Sequence, residues 1–278
     1  MDITWWGFAA LATAAALVGF SKTAVSGANT VSLAVFAAVL PARESTGVLL
    51  PLLIVGDVLA VLSYRRHAHW PTLWRLFPAV AAGVLVGTVF LAWADDTEVR
   101  TSIGAILLLM AGVTMWRRRG AAKAEAEAEA AENGRAGDGP AEDGPVADPG
   151  GPASPGARGT AGSFTSGSYG VLGGFTTMVA NAGGPVMSLY LLSAGFRKLG
   201  FLGTSAWFFL IVNTSKLPFS VGLGLIDGPS LLLDAALVLF VVPGALIGKA
   251  WVNRIDQRLF ERLVIGATVL GGLQLLLR

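Results

Sequence analysis

The sequence contains no cysteine and few charged side chains. Charged residues make up 14% of its 278 residues, against about 25% in an ordinary soluble domain. The absence of cysteine excludes disulfides, thiolate metal sites and persulfide chemistry on the protein itself. The 2 histidines, His67 and His69, lie in a short arginine-rich loop without a nearby carboxylate, so we expect no metal site and no cofactor.

The sequence also lacks the marks of a nucleic-acid-binding or ATP-driven protein. The formal net charge is only +2, and the pI near 9.1 comes mostly from arginines at the ends of apolar segments. Such scattered charges do not form a nucleic-acid surface. No stretch resembles a phosphate-binding P-loop, so we expect energy to come from a gradient or from downhill flow.

Apolar stretches make up most of the chain, which is 54% hydrophobic with a mean hydropathy of +0.65. Several approach or exceed the roughly 18 residues that cross about 30 Å of hydrocarbon as a helix. The ten apolar segments are Ile3–Gly19, Ala24–Leu40, Thr46–Tyr64, Leu73–Ala94, Val99–Trp116, Ser166–Val179, Gly184–Gly195, Phe201–Ile226, Ser230–Val252 and Leu259–Leu277. We therefore predict an all-α, polytopic protein of the lipid bilayer with about eight to ten membrane segments.

A polar stretch separates the first five segments from the last five. It begins with "RRRGAAKAEAEAEAAE", which is rich in strong helix formers, and continues with a region rich in Gly, Pro and Asp. Such a region cannot bury enough apolar surface to fold. We predict a first membrane repeat at 1–116, a disordered linker at 117–162 and a second membrane repeat at 163–278.

The two halves resemble each other in sequence. "GFSKTAVSGAN" from Gly19 aligns with "GFTTMVANAGG" from Gly174, and "VGDVLA" from Val55 aligns with "VNTSKL" from Val212. "GVLVG" at Gly83–Gly87 aligns with "GALIG" farther along the second half. The matched stretches keep their order and nearly constant offsets, which favours an internal duplication over chance.

The positions of arginine and lysine predict how the halves are oriented, because short cytoplasmic loops carry the positive excess. They place the linker in the cytoplasm and favour inverted repeats, provided that the first two segments of each half return the chain to its starting side. Those segments would do so as two full crossings or as one re-entrant hairpin. A single broken helix would instead give parallel repeats, with the basic cluster Lys249–Arg262 facing outward.

Three ionisable residues lie inside apolar segments: Lys22, Asp57 and Lys216. A lysine at the bilayer centre costs roughly 2.5 to 3.5 kcal/mol on insertion scales, so such residues indicate function by default. The alternatives are that Lys22 extends from a segment end toward the headgroups and that Asp57 only neutralises a buried lysine. In a functional role, Asp57 would carry a proton that couples anion movement to the proton gradient.

Glycine-rich stretches at corresponding positions of the two halves complete a predicted anion site, since substrate sites of repeat transporters lie in such helix breaks. Lys22, Ser26 and Asn29 share a face if the chain there is helical; if it is broken, free backbone N–H groups can donate to an anion. For the second half-site the alternative is tight helix packing by small residues. The predicted substrate-binding residues are Lys22, Thr23, Ser26, Asn29, Thr177, Asn181, Gly183, Gly184, Asn213 and Lys216, with Asp57 for coupling or charge pairing. Asp234 is expected at the membrane interface because it stands near the start of a segment.

Several motifs occur in the order found in one known family. They are "GFSKT", "LLPLLIVGDVLAVLSYRR", "GVLVG", "NAGGPVMSLYLL", "GTSAWFF", "NTSKLP" and "PGALIG". With these motifs the chain resembles the TauE/SafE family, the sulfite exporters, over both halves but not the linker. The resemblance implies transport of small sulfur-containing anions such as sulfite, sulfonates or sulfoacetate, commonly outward. Many members carry a GxGGG-type run where this chain has "VSGANT", with Asn29 at a place often held by glycine.

We therefore expect a secondary transporter of the plasma membrane that exports a small sulfur-containing anion, and not an enzyme. A membrane-embedded enzyme and a non-transporting membrane subunit are the alternatives. An intramembrane aspartyl protease needs two carboxylates close enough to share a proton, and the sequence places only Asp57 deep in a segment. The oligomeric state, a homo-oligomer included, is left open.

Overall fold

The computed structural model describes residues 4–24, 29–135, 161–194, 196, 198–251, 265–266, 269–270, 272–273 and 275–277. These residues are helical apart from short connections and include no strand, as predicted. The helices are α1 (Trp5–Thr23), α2 (Asn29–Val39), α3 (Ala42–Tyr64), α4 (Trp70–Trp93), α5 (Asp96–Arg135), α6 (Ala161–Ala180), α7 (Gly183–Ser193), α8 (Lys198–Gly222) and α9 (Gly228–Trp251). Further helical residues between 265 and 277 lie where the tenth segment is predicted.

Hydrogen bonds from nearby side chains cap the starts of two of these helices. Before α5, the Glu98 backbone N–H donates to Asp95 Oδ1 at 2.8 Å and the Asp95 N–H donates to Glu98 Oε2 at 3.0 Å. This reciprocal arrangement is a capping box, which satisfies two donors that a helix start leaves open. Asp227 and Ser230 form the same arrangement before α9, with distances of 2.8 and 2.9 Å.

The bundle exposes many large apolar side chains and buries several polar and charged ones. Leu85, Val86 and Val89 of α4 are more than half exposed, whereas Asp57 and Lys216 are buried. Such an arrangement is unfavourable in water and expected in lipid. On length and composition alone, three helical stretches in the described chain could cross a membrane: Ala42–His67, Trp70–Trp93 and Gly228–Trp251.

Tryptophans near the helix ends are also exposed. Trp93 is 87% exposed at the end of α4 and Trp116 is 76% exposed within α5. The other exposed tryptophans near predicted segment ends are Trp5, Trp6, Trp70, Trp74 and Trp251. Trp side chains favour the membrane–water interface, so this distribution is that of an interfacial belt.

Helix α5 continues well past the apolar segment that starts it. It contains 40 residues, about 60 Å at 1.5 Å per residue and so roughly twice the thickness of the hydrocarbon core. Its last part is the Ala- and Glu-rich start of the linker, while residues 136–160 lie outside the described chain.

Two pairs of helices from opposite halves cross at glycines. A Cβ atom on Gly19 would overlap the Val241 backbone oxygen, and one on Gly244 would overlap the Ala16 backbone oxygen, so α1 and α9 are in direct backbone contact. The same contact joins α4 and α6, where Gly174 meets Val80 and Gly83 meets Val171. Small residues allow this close approach. In each pair, residues farther along one helix contact residues farther along the other, so the two helices run parallel.

Helices α3 and α8 cross at the centre and run antiparallel. Gly47 near the start of α3 abuts Leu225 just after α8, and Asp57 meets Asn213 midway along both helices. At the other end, Gly203 near the start of α8 abuts Tyr64 at the end of α3. This crossing carries the charged residues of the candidate site.

The first two segments of each half form a hairpin. In the first, Asn29 N donates to Ser21 Oγ at 3.1 Å and Ser32 Oγ donates to the Ala14 oxygen at 2.9 Å, so α2 folds back along α1. In the second, α7 folds back along α6, with the rings of Tyr169 and Tyr190 6.1 Å apart. The returning arms α2 and α7 have 11 residues each, about 16 Å. They are too short to cross the hydrocarbon core, which favours the re-entrant form of the hairpin.

Candidate functional site

The turns of the two hairpins meet in the middle of the bundle. Helix α1 ends at Thr23 and α2 begins at Asn29, while α6 ends at Ala180 and α7 begins at Gly183. The Asn29 side-chain Nδ2 donates to the backbone oxygen of Asn181 at 3.3 Å. Helix ends leave backbone N–H and carbonyl groups without intrahelical partners, so this junction concentrates polar backbone inside an apolar bundle.

Lys22 turns inward and forms an ion pair with Asp57. Its Nζ lies 2.6 Å from Asp57 Oδ1, with side-chain exposures of 12% for Lys22 and 0% for Asp57. The other carboxylate oxygen of Asp57 accepts a 2.6 Å hydrogen bond from Asn213 Nδ2. The Phe209 ring lies against the same ammonium, 4.4 Å from Nζ to the ring centroid. Lys22 therefore does not extend to the headgroups.

Lys216 is held in place by neutral acceptors. Its side chain is 1% exposed, and Nζ donates to the Thr177 backbone oxygen and to Asn181 Oδ1, both at 2.6 Å. A weaker contact of 3.3 Å reaches Asn213 Oδ1. Thr177 lies in the last turn of α6, whose carbonyl groups carry the negative end of the helix dipole. Lys216 is thus held by neutral oxygens and has no directly bonded carboxylate among the described residues.

Asn181 connects the two halves of the junction. Its Nδ2 donates to the Thr46 oxygen at 2.9 Å, and its Oδ1 accepts from Lys216. Its backbone has a φ of 49°, the left-handed conformation, which is the only positive φ of a non-glycine residue in the described chain. Asparagine tolerates this conformation better than most residues. The residue therefore both ends α6 and orients the lysine.

A small cavity lies against these groups. It has a volume of ≈ 40 Å³, and since one water needs about 10 to 15 Å³ on this measure, it has room for a few waters or one small anion. It is lined by Ser21, Lys22, Asn29, Leu53, Asp57, Ala60, Thr177, Asn181, Gly184, Leu202, Ser205, Ala206, Phe209 and Asn213. One wall is polar and the other apolar, as in most small-ligand sites.

From the ion pair, the cavity reaches Leu53 on one side and extends to Ala60, Leu202 and Ser205 on the other. Its α3 and α8 walls run from Asp57 and Asn213 toward Ala60 and Leu202, which is the side where α3 ends, α8 begins and α5 leads into the linker. We call this the linker side. In the opposite direction, Val48, Leu49, Leu50 and Leu52 are fully buried.

The structure brings most of the predicted site residues together. Lys22, Asn29, Thr177, Asn181, Gly184, Asn213 and Asp57 line the cavity, and Lys216 is bonded to three of them. Thr23 is placed differently. Its hydroxyl donates to the Ala245 oxygen of α9 at 2.8 Å and so lies in the contact between α1 and α9. Gly183 packs against Thr177 inside the second hairpin. Ser26 lies outside the described residues.

Sequence reasoning missed the mostly apolar wall of the cavity. Its members on α8 share one helix face with Asn213: Leu202, Ser205, Ala206 and Phe209. Leu53 and Ala60 share a face with Asp57 on α3 in the same way. Residues three, four and seven apart lie on one side of a helix, so extending the face of each buried polar residue along its helix would have found them.

The expected interfacial position of Asp234 is wrong. Its side chain is 3% exposed, and its oxygens have no hydrogen-bond partner among the described residues. It stands on the face of α9 that packs into the bundle. Gly248 of α9 meets Phe20 of α1 near the ion pair, and Asp234 lies 14 residues earlier in α9, about 21 Å along the axis. It therefore cannot share a proton with Asp57.

Substitutions of Asn181 should separate its backbone role from its side-chain role. Asn181→Gly keeps the left-handed backbone accessible but removes the bonds to Lys216 and to the Thr46 oxygen, whereas Asn181→Ala removes the same bonds and adds strain. We expect both to be destabilised, the alanine variant by about 1 kcal/mol more. Thermal unfolding of the purified variants in detergent measures the difference. Equal stability of the two would show that the left-handed conformation carries no cost.

The comparison with known families gives one match. A family model described as Sulfite exporter TauE/SafE matches residues 11–275. No curated protein and no solved structure matches the chain. The matched range includes the second hairpin, the first hairpin from Leu11 onward, Lys22, Asp57 and Lys216.

Proposed function

The chain belongs to the TauE/SafE sulfite exporter family, and on this premise we propose that it is a secondary transporter that exports a small sulfur-containing anion across the plasma membrane. Sulfite and small organosulfonates are the candidate substrates. The membrane-transport character and the sulfur-containing substrate come from the family, and the apolar exterior of the bundle agrees with the former. The charges of the site support an anion, and the shape of the cavity supports the direction.

The observation that carries the proposal is the charge of the site. Lys22 and Lys216 lie at one junction with a single carboxylate, Asp57, among the described residues around the cavity. With all three ionised, the junction has one surplus positive charge. A surplus charge inside the membrane is costly, and a bound anion would remove that cost, so the site favours anions over cations and neutral molecules.

The neighbouring groups suit an oxyanion. The first turn of α7 places Gly184 at the cavity, and the backbone N–H groups of a helix N-terminus donate to negative oxygens. Asn29, at the start of α2, occupies the corresponding position in the first hairpin. Together with Lys22 they supply several donors around a small space, which a sulfite or sulfonate group with three oxygens can use.

The shape of the cavity supports outward transport. It extends toward the linker side, and the distribution of arginine and lysine places that side in the cytoplasm. In this conformation an anion would enter from the cytoplasm, as export requires. The buried layer on the other side, with Leu49 and Leu50, would keep the outer path closed.

The helix arrangement supports inverted repeats as the basis of alternating access. A two-fold axis in the membrane plane reverses helix direction, so corresponding helices of inverted repeats must run antiparallel. Helices α3 and α8 correspond in the sequence alignment and do so. The glycine contacts between α1 and α9 recur between α6 and α4, as a duplicated chain requires. Exchanging the conformations of the two halves would then open the outer side.

Lys22→Gln tests the transport role directly. Because the substitution removes a cation that faces the cavity, we expect efflux of radiolabelled sulfite from proteoliposomes to fall by about ten-fold or more. The matched control is Lys249→Gln, which removes an exposed lysine at the end of α9 and should leave flux unchanged. Equal efflux from the wild type and Lys22→Gln would contradict the proposed site.

Experiments on the purified wild-type chain also test which anion is the substrate and whether the chain is a subunit without transport of its own. We expect a thermal-shift screen to show binding of at least one of the anions sulfite, sulfate, thiosulfate and sulfoacetate and weaker binding of the zwitterion taurine, because the site favours net negative charge. A chain that moves none of these anions when reconstituted alone would indicate a subunit without transport of its own. The elution volume on size exclusion tests for a homo-oligomer.

A further inference from the structure

Asp57 occupies the position that the transported anion should take. Its carboxylate lines the cavity, forms an ion pair with Lys22 Nζ at 2.6 Å and accepts a hydrogen bond from Asn213 Nδ2 at 2.6 Å. These donors are the ones that an incoming oxyanion would use, and two anions cannot share the Lys22 ammonium without strong repulsion. Substrate and Asp57 must therefore compete for Lys22.

The second lysine is compensated in a different way. Lys216 bonds to the Thr177 oxygen, Asn181 Oδ1 and Asn213 Oδ1, which are all neutral. These acceptors belong to the end of the second hairpin and to the lysine's own helix, and none of them carries a charge that a bound anion would replace. Among the described residues at the junction, only Lys22 is neutralised by a charged side chain that the substrate could displace.

We propose that the Asp57 carboxylate is a tethered substitute for the substrate: it holds Lys22 while the site is empty and releases Lys22 when the anion binds. The proposal rests on the proposed function, because it takes the cavity as the anion site. It gives Asp57 a role that charge pairing alone does not describe, namely to keep the Lys22 ammonium paired with a negative group in both the empty and the loaded protein.

This role determines which transport modes are available. Net export requires the empty protein to return through the closed, desolvated conformation, whereas exchange of one anion for another does not. An unpaired lysine at the bilayer centre is costly. Without Asp57 the empty return is penalised and the loaded protein is not, so net export should be lost before exchange.

The test compares two fluxes through the full-length protein in proteoliposomes, with radiolabelled sulfite as the probe. One is net efflux into sulfite-free medium, and the other is exchange against saturating external sulfite. For Asp57→Asn we expect the ratio of net efflux to exchange to fall by about ten-fold or more relative to the wild type, with exchange still measurable. Asp234→Asn, which removes the other buried acid of the described helices, should keep the wild-type ratio.

A double variant distinguishes charge balance from a structural role. Lys22→Gln combined with Asp57→Asn removes both members of the ion pair, so the empty site no longer contains an unpaired Lys22. We expect the ratio to return toward the wild-type value although both fluxes are slower. A folding defect caused by Asp57→Asn would not be reversed by adding Lys22→Gln. Thermal unfolding of each variant shows whether it is folded.

Three results would overturn the proposal. They are an unchanged flux ratio in Asp57→Asn, loss of both fluxes in a folded Asp57→Asn protein, and no recovery of the ratio in the double variant. If the wild type moves sulfite in neither mode, sulfite transport itself is refuted and this inference fails with it. Normal wild-type flux with an unchanged ratio in Asp57→Asn would refute only the role of Asp57.

Discussion

Lys216→Gln is expected to reduce anion transport by about 100-fold or more, because truncating a fully buried charge that binds a ligand costs roughly 2 to 5 kcal/mol. Lys216 is 1% exposed and lies between the end of α6 and the α3–α8 crossing. Its charge supplies the surplus that attracts the anion, and its bonds orient Thr177 and Asn181. Efflux of radiolabelled sulfite from proteoliposomes measures the loss.

Two further variants give this result its meaning. Lys216→Arg keeps the charge but replaces a compact ammonium with a planar, larger group, so we expect partial transport. Lys249→Gln has the same change of charge on the exposed end of α9 and should behave as the wild type. Full activity of Lys216→Gln in a protein that remains folded would show that Lys216 serves only packing.

Alanine at Gly83 or Gly244 is expected to destabilise the fold strongly. An added Cβ would overlap the Val171 oxygen at one crossing and the Ala16 oxygen at the other. A backbone atom in a packed helix cannot turn aside as a side chain can, so the helices must separate. We expect a loss of about 3 kcal/mol or more of unfolding free energy for each variant, at the upper end of overpacking costs.

The control for the glycine variants is Gly112→Ala in α5. A Cβ on Gly112 meets nothing within 4 Å, and alanine favours the helix by up to about 1 kcal/mol over glycine. Thermal unfolding in detergent and monodispersity on size exclusion compare the three variants. A similar loss for Gly83→Ala and Gly244→Ala would also support the correspondence of the two crossings. Wild-type stability of either would mean that the crossing is looser than the contacts indicate.

Much of the fold could be predicted because a bilayer leaves few choices. Apolar runs of sufficient length must be helices in lipid, since no water is present to satisfy the backbone. The predicted segment Thr46–Tyr64 lies within α3, and Leu73–Ala94 almost coincides with α4. The start of α3 lies four residues earlier than predicted, because buried Ser45 and the charged residues before it still fit the helix.

The site was predictable in composition but less so in geometry. Lys22, Asp57 and Lys216 stand out because each is an ionisable residue in an apolar run. Their partners do not stand out, since the pair formed by Lys22 and Asp57 joins residues 35 positions apart on different helices. Asp234 shows a different error, because its closeness to the start of a segment suggested an interfacial position while the packing of α9 buries it.

The sequence by itself determined that this is a helical membrane protein with lysines inside apolar segments and glycine-rich stretches beside them. These properties depend on local composition and on the free energy of placing each residue type in lipid. Only the tertiary structure decided that Lys22 pairs with Asp57, that neutral acceptors hold Lys216, and that the cavity extends toward the linker side. These features depend on which helix faces meet, and that is determined by contacts between residues far apart in the chain.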